Sequence, residues 1–302
     1  MRVEINNSIS LQPEDSRLLD MHSLYNVINI LAGELQILEM LAQEREELSE
    51  CVSRCLKVKK ELSSTDKVLS FAENIDVFMN SISKAAEDLL SRHPHLSNMP
   101  DAAESLENIN SVLSILKVRT AEILERHKYP NQWKEHDLSS LTRNFLDVFA
   151  AIEKNSKGRY TFVFNLAARK DSDYYVDIRF DSIDGPTINM PPVFQDVMRD
   201  LMANARKYTD PGGRISAGLL DDGQNLLFCV EDTGIGIPPA DIEKVVEFGF
   251  RASNVGERRT MGGGFGLTKA YVVTRQLNGR MWIDSEEGQG TRITISIPRP
   301  EA

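Results

Sequence analysis

Glycine is nearly absent from the first part of this chain and frequent in the second. Between residues 14 and 127 the sequence has a single glycine and repeats leucine and isoleucine at helical spacing. Prolines at positions 94 and 100 interrupt this pattern. We predict one long or broken helix over residues 14–62, and further helices over 65–92 and 101–128. They indicate an all-α domain at residues 1–130, a helical hairpin or bundle in which residues 46–98 are an extension or an insert.

The rest of the chain mixes helices and strands. A proline at position 130 and the change of composition after it predict a linker over 131–136 and a second domain at 137–302. Runs rich in β-branched residues predict strands there, and three segments between them have helical spacing. The predicted helices cover residues 138–155, 193–208 and 267–277. Helices interleaved with mostly hairpin-linked strands indicate an α/β two-layer sandwich.

The composition argues against several classes of protein. The chain has 45 acidic and 35 basic residues and a net charge of −10, whereas a nucleic-acid-binding protein needs a basic face. No apolar run approaches the length of a membrane span, and the first residues lack the features of a signal peptide. The three cysteines fit neither a disulfide framework nor a zinc site. We expect a cytoplasmic protein without a nucleic-acid partner and without a direct membrane span.

One predicted helix carries three polar side chains on a single stripe. Asp200, Asn204 and Lys207 are four and three residues apart, so they share a face of the helix. The amide oxygen of Asn204 would suit magnesium, which takes one or two protein ligands besides water and phosphate. The ammonium group of Lys207 would neutralise phosphate charge. An ordinary solvated helix surface has the same pattern, and the stripe alone does not separate the two.

A predicted strand ends in Asp232 and is followed by Gly234 and Gly236. A carboxylate at the end of a strand can accept a hydrogen bond from the exocyclic amine of a base. The two glycines would let the backbone bend tightly beneath the ring. A tight turn after a strand would have the same residues, so both interpretations stay open for this motif alone.

Three further glycines, Gly262, Gly264 and Gly266, lead into a predicted helix. Glycine-rich backbone at a helix N-terminus offers N–H groups to phosphate oxygens, and the helix dipole strengthens the attraction. Upstream, residues 251–261 are polar and rich in arginine, which suggests a mobile lid that closes on phosphates. A flexible linker and a solvated loop are the alternatives.

Together these motifs resemble the GHKL superfamily of ATPases, which includes gyrase, a heat-shock chaperone, MutL and the sensor histidine kinases. The matching segments are Asn204–Thr209 (N box), Asp232–Pro238 (first glycine box), Phe248–Arg251 (F box), Gly262–Leu267 (second glycine box) and Gly288–Thr291 (closing glycine box). They stand in family order within residues 137–298, and the resemblance is sharpest toward the histidine kinases. It implies the GHKL (Bergerat) ATP-binding fold, with ATP and Mg²⁺ as cofactors.

The resemblance also implies roles for individual residues. Asn204 would hold magnesium, Lys207 would touch phosphate, and Tyr208 would border the nucleotide. Asp232 would bind the adenine amine. The remaining nucleotide-binding positions would be Gly234, Gly236, Phe250, Arg251, Gly262, Gly264, Gly266, Leu267 and Thr291. Asp200 departs from the histidine kinases, which often have asparagine there; other superfamily members use a glutamate at this place to activate water, so a role of Asp200 as a base is open.

A kinase of this family needs a histidine that accepts the phosphoryl group, and His22 is the candidate. At ~100° per residue, His22 shares a helix stripe with Asn26, Asn29, Gly33 and Gln36, while leucines occupy the opposite side. This predicts a solvent-facing imidazole, which can be neutral near pH 7 and nucleophilic. A plain surface histidine has the same placement, and only the domain downstream favours the phosphoacceptor.

The segment from His22 to Asn26 resembles the H box of the kinase dimerisation domain. Asn26 stands where the family orients water to dephosphorylate its partner. Ser23 stands where the family usually has an acid that takes the imidazole proton, and a serine does this poorly. The resemblance also implies that the helical domain pairs with a second copy into a homodimer.

The sequence therefore predicts a cytoplasmic, dimeric protein histidine kinase. It would use Mg-ATP to phosphorylate His22 and pass the phosphoryl group to an aspartate of a separate response regulator. One alternative is a catalytically weak signalling scaffold or response-regulator phosphatase that depends on Asn26, because Ser23 replaces the usual acid. A second alternative is a GHKL ATP hydrolase in which Asp200 activates water.

Overall fold

The computed structural model describes residues 2–9, 11–43, 47–62, 64–129, 132–156, 158–256 and 264–300. The chain divides into two compact units. One contains residues 11–130, and the other contains residues 1–10 together with 131–302. Within the described ranges, no helix combines the length and the apolarity that crossing a bilayer requires.

The first unit is all helical, as predicted. Its helices are α1 (Pro13–Ala42), α2 (Ser49–Glu61), α3 (Thr65–Glu73), α4 (Ile75–Arg92) and α5 (Pro100–Lys128). Proline occupies the first turn of α1 and of α5, where its missing N–H has no helical partner to lose. The helical stretch predicted at 14–62, as one long or broken helix, is broken into two, because Gln43 takes a left-handed conformation (φ 59°) that ends α1. The predicted helix at 65–92 is likewise divided at Asn74.

Helices α1 and α5 pack against each other, and the three helices between them complete the core. Helix α2 packs on α1, while α3 and α4 pack on α5. The core includes Leu24, Leu31, Leu35 and Leu38 of α1, Ile109, Leu113 and Leu116 of α5, and Leu62, Val68, Phe78, Ile82 and Leu89 between them. Residues 46–98, predicted as an extension or an insert, therefore supply helices to the same core.

The second unit is built on a seven-stranded sheet. Its strands are β1 (Arg2–Glu4), β3 (Phe162–Val163), β4 (Tyr174–Ser182), β6 (Arg214–Asp221), β7 (Asn225–Asp232), β8 (Arg280–Glu286) and β9 (Gly290–Pro298). They lie in the order β1-β8-β9-β7-β6-β4-β3. The pairs β3–β4 and β4–β6 are parallel, and the other pairs are antiparallel. A separate two-stranded sheet pairs β2 (Lys134–Asp137) with β5 (Thr187–Met190).

Three helices cover one face of this sheet. They are α6 (Leu138–Asn155), α7 (Pro192–Tyr208) and α8 (Gly266–Gln276). Alternate strand residues such as Phe228, Ile283 and Ile295 point into the same core as Phe194 and Leu201 of α7. The predicted α/β two-layer sandwich is confirmed for this unit.

The first residues of the chain belong to the sandwich, which differs from the predicted helical domain of residues 1–130. Strand β1 pairs antiparallel with β8, so that Val3 lies opposite Ile283. The Ile5 side chain is buried in the sandwich core, and its N–H donates to the Met281 carbonyl at 2.9 Å. The predicted linker at 131–136 also needs correction, because β2 begins inside it. Both strands are too short to show an alternating pattern.

We predict that Ile5→Ala lowers the free energy of unfolding by about 3 kcal/mol, because it removes a buried side chain and leaves a cavity. Ile183→Ala is the matched control: this isoleucine is 68% exposed, whereas Ile5 is 1% exposed. The control should change stability by no more than about 0.5 kcal/mol. Denaturant unfolding of both variants measures the difference, and equal effects would contradict the assignment of the N-terminal segment to the sandwich.

Candidate functional site

Helix α7 carries its polar stripe along the edge of the sandwich core. Val197, Leu201 and Ala205 are buried, whereas Asp200 and Asn204 between them are half-buried. Lys207 and Tyr208, in the last turn, are also half-buried. The helical spacing predicted this division into a buried and a polar face, so the amide and the ammonium group share one side of α7.

The loop after β7 lies directly against the end of α7. The Ile235 N–H donates to the Tyr208 carbonyl at 3.1 Å. A Cβ atom on Gly234 would stand 2.3 Å from the same carbonyl oxygen. Gly236 has φ 66°, and a Cβ there would stand 2.0 Å from the Glu286 carbonyl oxygen. Side chains at these two positions would push the loop away, so glycine is required for the close approach.

The closing glycine motif lies beside Asp232. Strand pairing puts Thr291 opposite Asp232, and a Cβ on Gly290 would stand 2.0 Å from the Asp232 carbonyl oxygen. The Ser285 hydroxyl lies 2.9 Å from the Thr291 hydroxyl and accepts from the Ile237 N–H at 2.9 Å. These contacts hold the hydroxyl of Thr291 at the strand end that carries Asp232.

The start of α8 faces the polar stripe of α7. A Cβ on Gly266 would stand 3.0 Å from the Asn204 Nδ2 atom and 3.7 Å from Asp200 Cβ. Gly264 has φ 78° and approaches the Phe250 carbonyl oxygen closely. The first N–H groups of α8 therefore begin next to the amide of Asn204, which is the arrangement that binds phosphate at helix N-termini.

Gly262, and residues 257–261 of the predicted lid, lie outside the described residues. The half-buried side chains of Phe250 and Leu267 pack against the sandwich core, so the structure shows them as supports of the backbone on either side of that segment.

Three cationic side chains gather near the end of α7. Burial, together with the neighbouring positive charges of Arg251 and Arg206, lowers the pKa of Lys207 to about 8. The Arg251 side chain also hydrogen-bonds Tyr208, whose pKa burial raises. Since these cations repel one another, an anion placed among them would relieve the repulsion, and phosphate has the required charge.

Burial also disfavours the charged form of Asp232, which is an anion. Burial raises the pKa of its carboxyl group to about 6, although the hydrogen bond from the Gly234 N–H at 2.8 Å opposes that rise. A hydrogen-bond donor on a ligand would stabilise the charged form of a half-buried carboxylate of this kind. An amine at the edge of a flat base is such a donor.

Asp200 is already engaged in an ion pair. Its Oδ2 atom lies 3.4 Å from the Nζ atom of Lys269 on α8. The Lys269 side chain is 5% exposed and that of Asp200 is 32% exposed. The carboxylate predicted as a possible base therefore faces a buried cation.

His22 and Asn26, the candidates in the helical unit, both lie in α1. The side chain of His22 is outside the described part of the chain, and Asn26 is half-buried. Further along the same predicted stripe, Asn29 and Gln36 are exposed, while the leucines of the opposite stripe are buried. The helix thus has the predicted two faces.

The sequence reasoning missed three residues that shape the site. Asn254 donates to the Gly236 carbonyl at 3.0 Å and braces the glycine loop. Ser285 anchors the loop from the sheet, as described above. Lys269 joins α8 to α7. A signal existed for Lys269, because a lysine surrounded by helix positions that are otherwise apolar or small is unusual.

Comparison with known proteins agrees with this geometry. Residues 190–301 match the family model described as histidine kinase-, DNA gyrase B-, and HSP90-like ATPase. The sensor histidine kinase WalK of Bacillus subtilis is 28% identical over 195 residues, which are 64% of this chain and 28% of WalK. The sensor histidine kinase RppB of Synechocystis is 37% identical over 102 residues, which are 34% of this chain and 22% of RppB.

Among solved structures, the catalytic domain of the histidine kinase ThkA covers 55% of this chain and 97% of its own, at 20% identity and a TM-score of 0.39. The chain spans about a quarter of the length of the curated relatives described above.

The family match and the site define the class of the sandwich unit: it is an ATP-binding domain of the histidine kinase, gyrase B and HSP90 type. The curated relatives described above are, more narrowly, sensor histidine kinases. The resemblance stated from the sequence is thereby confirmed.

We predict that Gly236→Ala weakens ATP binding at least about tenfold, because the new Cβ would collide with the Glu286 backbone and displace the loop. Gly185→Ala is the matched control. Its glycine also has a positive φ, of 84°, but nothing lies within 4 Å of the added Cβ. Titration of each purified variant with ATP measures the effect. Equal affinities for the two variants would show that the loop tolerates a side chain.

Proposed function

We propose that the protein is a histidine kinase that uses Mg-ATP to phosphorylate His22 and then donates the phosphoryl group to an aspartate of a response regulator. The observation that carries the proposal is the meeting of three chain segments. The end of α7, the loop after β7 and the start of α8 come together, with Gly266 beside Asn204 and Gly234 against Tyr208.

The residues of this pocket fit a nucleotide with its metal. We infer that Asp232 accepts the adenine amine and that Tyr208 borders the nucleotide. Lys207 and Arg251 would face the phosphates, together with the N–H groups at the start of α8. Asn204 would be the magnesium ligand, and its half-buried amide stands at the place where those N–H groups begin. Magnesium, when bound, neutralises charge on the phosphate oxygens.

In the proposed reaction an imidazole nitrogen of His22 attacks the γ-phosphorus of ATP. A P–N bond forms, the bond between the γ-phosphorus and the bridging oxygen breaks, and ADP leaves with that electron pair. The imidazole proton passes to solvent, because Ser23 offers no carboxylate to receive it. The pocket residues contribute positioning and charge neutralisation, which supply most of the rate in phosphoryl transfer.

The helical unit supports the proposed homodimer. Its apolar residues Ile30, Ile37 and Met40 on α1, and Ile115 and Val118 on α5, are exposed. A second copy of the same unit could bury them. The three cysteines are all unpaired, which fits the reducing cytoplasm, where we propose that the protein meets ATP and its regulator.

Two alternative functions each depend on one specific residue. Ser23 favours a weak kinase that acts as a scaffold or as a response-regulator phosphatase, in which Asn26 would be the important residue. An ATP hydrolase would need Asp200 to activate water, and the ion pair of Asp200 with Lys269 argues against that role.

We predict that incubation with γ-labelled ATP gives an acid-labile, alkali-stable label on the wild-type chain. His22→Ala should abolish the label, because the phosphoacceptor is missing. His127→Ala is the matched control, since it removes another histidine of the helical unit, and it should keep the label. Phosphate release and label are measured in the same samples.

The outcomes separate the three functions. Label that persists in His22→Ala would contradict the assignment of the phosphoacceptor. Steady phosphate release without label would support the hydrolase. Neither label nor release would leave the scaffold or phosphatase, which is then tested with a phosphorylated response regulator and Asn26→Ala.

We predict that ATP affinity falls about tenfold when the pH is lowered from 7 to 5. With a pKa of about 6, the Asp232 carboxyl is mostly ionised at pH 7 and mostly protonated at pH 5, and only the ionised form is a pure acceptor for the adenine amine. Lys207, with a pKa of about 8, stays protonated over this range and adds no change. Asp232→Asn should bind weakly at pH 7 and lose the part of the pH dependence that comes from this carboxyl group. Constant wild-type affinity over this range would refute the role of Asp232.

A further inference from the structure

A small group of charged side chains is buried between α7 and α8. The Nζ atom of Lys269 lies 3.4 Å from Asp196 Oδ2 and 3.4 Å from Asp200 Oδ2. The side chains of Lys269 and Asp196 are 5% and 4% exposed. Arg199 also pairs with Asp196. Two carboxylates and two cations thus form a neutral cluster, which we call the α7–α8 charge cluster.

Burying this cluster costs free energy, and its ion pairs require a specific geometry. Removing a charge from water costs several kcal/mol in real proteins, and well-packed apolar residues often give equal or better stability. Stability alone therefore gives little reason to place an ammonium group here. The charges can instead define the register of α8 relative to α7. Lys269 can pair with both carboxylates only when α8 is correctly placed along α7.

The position of the cluster connects it to the nucleotide site. Lys269 lies three residues after Gly266, and Asp200 lies four residues before Asn204, so each is one helical turn from the site. At the site itself, a Cβ on Gly266 would stand 3.0 Å from Asn204 Nδ2 and 3.7 Å from Asp200 Cβ. The ion pair and the contact between Gly266 and Asn204 are thus neighbouring parts of one helix-to-helix junction.

We propose that Lys269 is a positioning residue that holds the start of α8 in register with Asn204, by bridging Asp196 and Asp200. The N–H groups that face phosphate and the amide that faces magnesium then keep one geometry. In this arrangement Asp200 is the partner of Lys269 and not a water-activating base. The proposal rests on the proposed function, because it assigns a role to residues around the same Mg-ATP site.

The test measures how much magnesium strengthens ATP binding. Calorimetric titration with ATP, once with Mg²⁺ and once with EDTA, gives the ratio of the two affinities for the full chain. Lys269→Met should reduce this ratio about tenfold, while the part of the affinity in EDTA that comes from Asp232 and the glycine loop should remain, since both are untouched. Lys269→Arg keeps the charge and should retain most of the ratio. Arg275→Met is the control, because it removes an exposed cation from the same helix.

A double-mutant cycle with Asp200→Asn tests the bridge itself. In the combined variant, the magnesium ratio should fall by clearly less than the product of the two single-variant falls, because both substitutions remove the same interaction. If Lys269→Met does not fold, Asp200→Asn alone gives the test, since Lys269 keeps its partner Asp196; its ratio should fall several-fold.

Each outcome bears on one proposal. A lower melting temperature with an unchanged magnesium ratio in Lys269→Met and Asp200→Asn would show that the cluster only stabilises the fold, and would overturn the positioning role. Multiplicative effects in the cycle would do the same. Failure of the wild-type chain to bind Mg-ATP would instead overturn the proposed function.

Discussion

The close backbone contact between the loop after β7 and the last turn of α7 is the interaction on which the site depends. Gly234 approaches the Tyr208 carbonyl so closely that a Cβ would stand 2.3 Å from the oxygen. The Ile235 N–H completes the contact with a hydrogen bond to the same oxygen. Because α7 is anchored in the core by its apolar face, this contact brings the strand-end carboxylate of Asp232 beside the polar end of the helix. The pocket is therefore a consequence of how tightly the backbone can pack.

The electrostatics of the site suit a ligand that carries both a hydrogen-bond donor and an anionic group. Burial raises the pKa of Asp232, so a donor such as an amine would stabilise its carboxylate. Burial and neighbouring arginines lower the pKa of Lys207, so an anion would stabilise these cations. Asp200, which lies on α7 and precedes both residues, is neutralised by Lys269. A nucleotide has an amine at one end and phosphates at the other, so it can donate a hydrogen bond to Asp232 and place negative charge near Lys207.

The two units differ in how they are stabilised. The helical unit depends on apolar side chains from five helices, including those between α1 and α5. The sandwich depends on the apolar face of its sheet, and it includes the first residues of the chain through β1 and Ile5. The chain consequently passes between the units twice, before α1 and after α5. This double connection distinguishes the molecule from two domains joined by a single linker.

The sequence by itself determined the helical character of residues 14–127, the α/β class of the second unit and the nucleotide motifs, because helical period and required glycines are local properties. It could predict Asn204, Asp232 and Gly266 as parts of one site only through their order and spacing. Tertiary structure alone decided that β1 pairs with a strand more than 270 residues away, since a three-residue strand carries no periodic signal. It also decided that Lys269 bridges Asp196 and Asp200, because that ion pair exists only when α7 and α8 lie side by side. Local patterns are determined by neighbours along the chain, whereas these contacts depend on which surfaces the folded core brings together.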